Sequence, residues 1–378
     1  MTPYISVIFC NRNDGYGGEQ PERINAFIRY FAHWDRLYPG LMEFVLCDWN
    51  PPADRPSLID GFDWSALTDV TSYDVAPELH ARVGGTDKRP MLDYIGRNVA
   101  IRRARAPFVL VVNQDIFPSR AIMEELGRRC LSDRHFYRAD RVDFDFEGAA
   151  DLGATEMEPW ARAHPFMRHV RPWPDAPEIH VPVSAETLDT AGTFAMDGDR
   201  QDPETGIVYC DGLGELRRRE RRRLLMLNWS FMDHFGRIWD RVADLGKSND
   251  SYWQRFLLHT NASGDFFLAP RVAFEAIHGF IESADFYMHT DGYACVAMFM
   301  AGYDQAIFVD DAIAFHADHD RSERAGRPES MTYVDHVRTF GEICRRERSF
   351  QLNERDWGLG DVQLPVRQGA LQTLSDAS

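Results

Sequence analysis

The chain has 378 residues, 44% hydrophobic and 27% charged, the composition of a soluble globular protein long enough for one large α/β domain or two smaller ones. Its 42 Lys and Arg stand against 59 Asp and Glu, a formal net charge of −17 that argues against nucleic acid and against a broadly basic membrane face. No apolar run approaches a membrane span, no signal-peptide pattern precedes the first strand, and Cys10, Cys47, Cys130, Cys210, Cys295 and Cys344 show no CxxC spacing, so a cytoplasmic protein with reduced thiols is expected.

Strands and helices alternate through the first third. Residues 4–10 (YISVIFC) read as a strand, and 22–37 as a helix with Ile24, Phe27, Ile28 and Phe31 on one face. A strand at 43–47 (EFVLC), a helix at 91–104 and a strand at 108–113 follow. The last is apolar enough to be buried on both faces, as in a parallel sheet. This order predicts βαβ units and a Rossmann-like, mostly parallel sheet with flanking helices. A dinucleotide fingerprint is missing: Asp14-Gly15-Tyr16-Gly17-Gly18 is neither GxGxxG nor a Walker loop, and serves equally as a loop over a ligand or as plain surface.

Three strands break off into polar clusters on what should be one edge of that sheet, the edge where α/β sheets bind ligands. They are Asn11-Arg12-Asn13-Asp14, Asp48-Trp49-Asn50 and Asn113-Gln114-Asp115. Together they point to a nucleoside-diphosphate site rather than to ordinary loop polarity. Asp48 is placed to accept a uracil N3–H, Trp49 to stack on a base or sugar, and Arg97, beside Asn98 on the preceding helix, to reach a phosphate. Asp115 is a candidate ligand for Mg²⁺ or Mn²⁺, hard ions that bridge diphosphates; its simpler alternative is to N-cap the helix starting near Ser119. Arg102, Arg103 and Arg105 are read as a solvated face.

Further along, His316 and His319 follow an apolar strand at 312–315, in a loop with Asp318 and Asp320. Imidazole suits Mn²⁺, and one of these histidines with one carboxylate would leave coordination positions open. Asp291 precedes a helix at 293–301, as an N-cap, a general base, or both.

On these residues the chain resembles the GT-A superfamily of nucleotide-sugar glycosyltransferases, in its family-two-like branch. The resemblance rests on 5–14 (ISVIFCNRND), on Arg97-Asn98-Val99-Ala100 leading to Asn113-Gln114-Asp115, on 261–279, on 286–292 (FYMHTDG) and on 315–320 (FHADHD). It implies a GT-A-like fold with an acceptor-side subdomain, and a metal-dependent inverting transfer from a nucleoside diphosphate sugar, UDP favoured, to a glycan, lipid-linked or small-molecule hydroxyl. Asn11, Arg12, Asp14, Asp48, Asn50, Arg97, Asn98 and Asn113 would hold the donor. Asp115 with His316 or His319 would hold Mn²⁺ or Mg²⁺, and Asp291 would act as general base, with Glu282 and Asp285 as alternatives. The family's DxD motif usually has two carboxylates; Asn113 replaces the first.

The organisation expected is a donor half at 1–135, an acceptor and catalytic half at 136–320, and a C-terminal helical segment and tail at 321–378. In the middle, Arg138-Ala139-Asp140-Arg141-Val142-Asp143 can end another strand near the sugar. The basic run from Arg217 to Arg223 reads as a solvated helix face or as a peripheral contact with the inner face of a membrane. Trp229, Trp239 and Trp253 are core or sugar-stacking residues. The stretch at 343–361 is expected to fold back over the donor site. Two other classes remain open: a metal-dependent hydrolase using His316 and His319, and a non-catalytic nucleotide- or carbohydrate-binding regulator.

Overall fold

The computed structural model describes residues 2–171, 180–193, 195, 199–210, 258–285, 290–320, 330–331, 335–336, 339, 342–343 and 348–369. Strand β1 (Ile5–Asn11) pairs in parallel with β2 (Met42–Trp49) on one side and β4 (Phe108–Val112) on the other, and β2 pairs in parallel with β3 (Val70–Val75). The order β3-β2-β1-β4 is the expected Rossmann-like arrangement. Successive strand residues point to opposite faces, and the two faces bury different sets. Ile8, Val109 and Val111 pack with helix α4 (Asp93–Arg103), while Val7, Phe9 and Leu110 pack with helix α1 (Gln20–Leu37). In α1 the apolar stripe Ile24, Phe27, Ile28 and Phe31 is buried as its spacing predicts, with the Phe27 ring packed at a tilt against those of Phe9 and Phe31. Removing one such ring would cost about 3–5 kcal/mol.

The sheet continues beyond β4 with antiparallel β12 (Phe266–Pro270), then β6 (His135–Ala139), β13 (Asp304–Phe308), β11 (Val208–Tyr209) and β10 (Arg200–Gln201). Strands from 1–135 and from 136–320 thus lie side by side in one ten-stranded sheet, with β15 (Val366–Gln368) on the β3 edge. A second sheet has the order β5-β14-β7-β8-β9, with β5 at Ile116–Pro118, β7 at Arg141–Phe144, β8 at Pro165–His169, β9 at His180–Pro182 and β14 at Ala314–Ala317. Two elbows join the sheets. Asn113-Gln114-Asp115 leads from β4 into β5, and Asp140 alone leads from β6 into β7. Polar residues interrupt the strands there because the backbone turns from one sheet to the next.

Helix α5 (Arg120–Gly127) follows β5, and its N-cap is Ser119, whose Oγ accepts the Ile122 N–H at 3.4 Å. Asp115 therefore has no capping duty there. Two more helices cover the α4 face, α7 (Arg271–Ile277) and α8 (Thr290–Ala301); α2 (Leu58–Gly61), α3 (Pro77–Arg82) and α6 (Ala154–Ala163) complete the set among the described residues. No helix among them is long and apolar enough to cross a membrane.

The C-terminal stretch departs from expectation. Residues 348–369 run as turns into β15, and Leu352, Trp357, Leu359 and Leu364 are buried in the core around α4 rather than over the strand ends where a donor was expected. Arg102 is solvent-exposed, as expected, and Arg103 is half-buried, but both also bind the C-terminal stretch. Arg102 lies over the Trp357 ring and donates to the Arg355 and Trp357 carbonyls, while Arg103 donates to those of Gly358 and Leu359. The basic run at Arg217–Arg223, and Trp229, Trp239 and Trp253, lie outside the described residues.

Candidate functional site

Strand order reverses between β1 and β4: β2 and β3 extend the sheet one way, β12 the other. At such a switch point the loops leaving adjacent parallel strands part and open a crevice at their carboxyl ends. A cleft of about 610 Å³, mouth included, opens there, lined by Cys10, Asn11, Asp14, Tyr16, Met91, Asp93, Asn113, Gln114, Asp115 and His319. The first and third polar clusters meet in it. Asn11 donates to Gln114 and accepts from the Arg12 N–H at 2.8 Å, and Gln20 Nε2 donates to Asn11 at 3.1 Å.

The metal candidates converge at the β4–β5 elbow. Ligand atoms of Asp115, His316 and His319 all lie within 4.8 Å of one another. Asp115 Oδ2 is 3.2 Å from His319 Nε2 and 3.8 Å from His316 Nε2. The β14 backbone fixes this approach, since the Ala317 N–H donates to the Asp115 carbonyl at 2.8 Å. His316 Nδ1 lies 3.0 Å from Asp143 Oδ1, which leaves Nε2 to face Asp115. Asp115 Oδ1 is buried with no hydrogen-bond partner. Burial opposes ionisation of Asp115, but His316, His319 and Arg23 outweigh it and hold the carboxyl well below the usual carboxylate range. One carboxylate with an orphaned oxygen and two imidazoles form a donor set that fits a divalent cation, and two nitrogen donors fit Mn²⁺ better than Mg²⁺.

The glycine-rich loop closes one side of this cluster. Gly17 has φ +72°, and a Cβ there would stand 2.5 Å from His319 Nδ1 and 2.9 Å from the Asp320 carbonyl. Only glycine permits both the backbone and the approach. Arg23, from α1, pins the loop by donating to the carbonyls of Gly18 at 2.5 Å and Tyr16 at 2.7 Å.

Several residues expected at the donor are used by the fold instead. Asp48 is fully buried and its Oδ2 accepts the Leu58 N–H at 2.7 Å, so its carboxylate holds the start of α2 rather than facing a base. Trp49 is also fully buried and donates to His80 at 2.9 Å; it stacks on nothing in the cleft. Asn50, at φ 47°, donates to the Pro90 carbonyl and accepts from Arg12 Nε at 2.6 Å, while Arg12 also pairs with Asp14 at 2.9 Å. Asn98 is buried and binds both the N–H and the carbonyl of Phe280, together with Glu282. Glu282 also accepts the Gly358 N–H at 2.7 Å, and burial pushes its carboxyl up. Its partners leave it a bracing role rather than that of a base.

Arg97 is buried and aimed beneath the cleft rather than at a phosphate. It donates to the Gly264 carbonyl and to Asn113 Oδ1, each at 2.5 Å, and pairs with Asp93 at 2.8 Å. Asn113 Nδ2 in turn donates to Asp265 Oδ1 at 2.6 Å. Asp291 stands in the first turn of α8, part-buried, and its Oδ2 accepts the Gly264 N–H at 2.6 Å, one residue from Asp265. The preceding 286–289 lie outside the described residues.

Asp143, Arg141, Asp265 and His169 were not singled out from sequence as site residues. Arg141 and Asp143 fall in the 138–143 stretch, whose signal is the one that flags Asp115, an apolar strand ending in charges. His169 lies 2.9 Å from Asp143 Oδ2, and burial with the nearby Arg141 holds the imidazole down to about 4, against the pull of Asp143.

No family model and no curated protein matches the chain. Among solved structures, it is similar to the crystal structure of GalNAc-T7 with UDP, GalNAc and Mn²⁺, at TM-score 0.41 and 8% identity, covering 84% of this chain and 44% of that one. It is also similar to the crystal structure of a mycobacterial protein, at TM-score 0.35 and 11% identity, covering 85% of this chain and 70% of that one. The chain therefore spans less than half the length of GalNAc-T7.

Proposed function

We propose that the protein is a GT-A-type, metal-dependent glycosyltransferase that moves a sugar from a nucleoside diphosphate donor, UDP-sugar favoured, to a hydroxyl acceptor with inversion. The observation that carries this reading is the Asp115, His316 and His319 cluster on the wall of a cleft at the β1–β4 switch point. Ligation by one carboxylate and two imidazoles leaves positions for diphosphate oxygens, and a bound Mn²⁺ would stabilise the charge developing on the leaving diphosphate. The chain's own residues do the rest. Asn11, Asp14 and Asn113 line the cleft where the donor's nucleotide and sugar would lie, and Tyr16 and the glycine-rich loop wall it on the His319 side. Asp291, held against Gly264 at the mouth of α8, is the carboxylate that would take the acceptor's proton as it attacks the anomeric carbon. Attack from the face opposite the leaving diphosphate gives inversion.

Calorimetry with UDP in Mn²⁺ and in excess EDTA tests the reading, on the wild type and on Asp115→Ala. Metal-linked UDP binding that is lost in Asp115→Ala, with turnover of a UDP-sugar, is the expected result. Binding without turnover of any donor would identify a nucleotide-binding regulator. Absence of UDP binding beside Mn²⁺-dependent ester hydrolysis would identify a hydrolase. Full transfer activity in EDTA would overturn the metal's role.

A further inference from the structure

Beneath the cleft, seven side chains from five segments of the chain form one continuous ladder of alternating partners. His316 Nδ1 stands 3.0 Å from Asp143 Oδ1, and Arg141 Nε pairs with the same carboxylate at 2.8 Å. The Arg141 guanidinium also donates through NH1 to Asp265 Oδ2. Asp265 Oδ1 accepts from Asn113 Nδ2 at 2.6 Å, Asn113 Oδ1 accepts from Arg97 at 2.5 Å, and Arg97 pairs with Asp93 on the cleft wall at 2.8 Å. His169 braces Asp143 from the far side at 2.9 Å. The ladder enters the metal cluster at His316 and the cleft at Asn113 and Asp93, and its only rung that joins two carboxylates is Arg141.

Resting on the reading of Asp115, His316 and His319 as metal ligands, we propose that Arg141 is a positioning residue for the metal centre: its fork fixes Asp143, which holds His316 with Nε2 toward Asp115, and simultaneously fixes Asp265, which holds Asn113. The planar guanidinium suits this duty because its donors are set in a rigid geometry and it stays charged when buried. Lysine would offer a point charge with rotatable donors and no planar fork to fix the orientation of two carboxylates. The arrangement makes metal affinity depend on Asp265, a residue that ligates nothing in the cluster. It also makes the two ends of the cleft, the metal ligand and the amide at Asn113, a single mechanical unit.

The test is a double-mutant cycle read by Mn²⁺ titration calorimetry without nucleotide, with thermal melts to confirm folding. The variants are Asp143→Asn, Asp265→Asn and the double. Loss of a group orienting a metal ligand lowers metal affinity by about 10–100-fold, so Asp143→Asn should fall in that range. Asp265→Asn should weaken Mn²⁺ about 10-fold in the wild-type background and less than about twofold in the Asp143→Asn background, because the link it acts through is already cut. Arg141→Lys, which keeps the charge and is the less disruptive change, should match Asp143→Asn. Removing the Asp265 charge also changes the field at the metal, but a field effect persists in both backgrounds. Equal weakening by Asp265→Asn with and without Asp143 would therefore overturn the proposal, as would unchanged Mn²⁺ affinity in Asp265→Asn or in Arg141→Lys. Absence of Mn²⁺ binding in the wild type is a different failure: it would remove the metal centre itself, and the proposal with it.

Discussion

Asp48 should make the protein less stable as pH rises from about 4 to about 6, and replacing it with Asn should remove that dependence. The carboxylate sits at the end of β2, fully buried, with Oδ2 bonded to the Leu58 N–H and Oδ1 without a partner. Burial raises it from an ordinary 3.8 to about 6; Asp74 adds to the rise, while the Leu58 N–H, Arg367 and Arg12 oppose it. Between those two values the native state holds a proton that the unfolded chain has released. The native state therefore binds more protons, and unfolding free energy falls with pH through that window. At 1.36 kcal/mol per pH unit the full loss is about 3 kcal/mol. Asp48→Asn cannot ionise. Its amide also places an unpaired N–H₂ where Oδ1 was, a penalty of about 1–3 kcal/mol that does not change with pH. The informative quantity is therefore the difference in stability between variant and wild type, measured by urea unfolding at pH 4 and at pH 7.5. It should shift by about 3 kcal/mol in favour of Asn at the higher pH. A difference that is the same at both pH values would refute the reasoning. UDP affinity should not change in this variant, because the carboxylate faces the chain; a loss would return Asp48 to the nucleotide site.

Two further outcomes follow from the cleft. Gly17→Ala should weaken Mn²⁺ binding about 10-fold and cost about 1–2 kcal/mol of stability, since it sets a Cβ at left-handed φ against His319; wild-type Mn²⁺ affinity by calorimetry would remove His319 from the ligand set. Asp291→Asn keeps an oxygen for the Gly264 N–H but cannot take a proton, so turnover should fall about 10²–10⁴-fold with UDP affinity intact. Near-normal turnover, or a product of retained anomeric configuration, would dismiss it as the base.

Where one local pattern decided the outcome, the fold was legible in the sequence. Strands β1, β2 and β4 are apolar on both faces and α1 carries a continuous stripe, so their existence and parallel order follow from residue type and spacing. Strand β3 was not foreseen because VTSYDV has only Val70, Ser72 and Val75 buried; its register with β2, not its composition, makes it a strand. Of the second sheet only β14 was legible, as the apolar strand expected at 312–315, and the rest was hidden for a related reason. Its strands are three to five residues long, and they exist because elbows at Asn113-Gln114-Asp115 and Asp140 divert chain from one sheet into the other. Nothing in a window of a few residues records such a diversion. That Arg102 and Arg103 also hold the C-terminal stretch was not legible, because their partners are carbonyls about 250 residues away, in 355–359.

At the site, strand ends announced which positions face the cleft but not which polar groups the chain itself consumes. Asn11, Asp14, Asn113 and Asp115 line it, whereas Asp48, Asn50, Arg97 and Asn98 spend their hydrogen bonds on the fold. Asn113 shows why the distinction matters. Set against the two-carboxylate motif that the resemblance implies, the amide looks like a loss of metal-binding charge. In place, it accepts from Arg97 on one side and donates to Asp265 on the other, 2.6 Å away. A carboxylate at 113 could accept from Arg97, but it would face Asp265 with two lone-pair-bearing oxygens and no proton between them, in a buried setting where like charges repel most strongly. An amide is the group of that size and shape that satisfies both neighbours. A negative charge stands next door, on Asp265, where Arg141 ties it to the carboxylate behind His316. Asn113 is thus read correctly only with Asp265 beside it, 152 residues further along the chain.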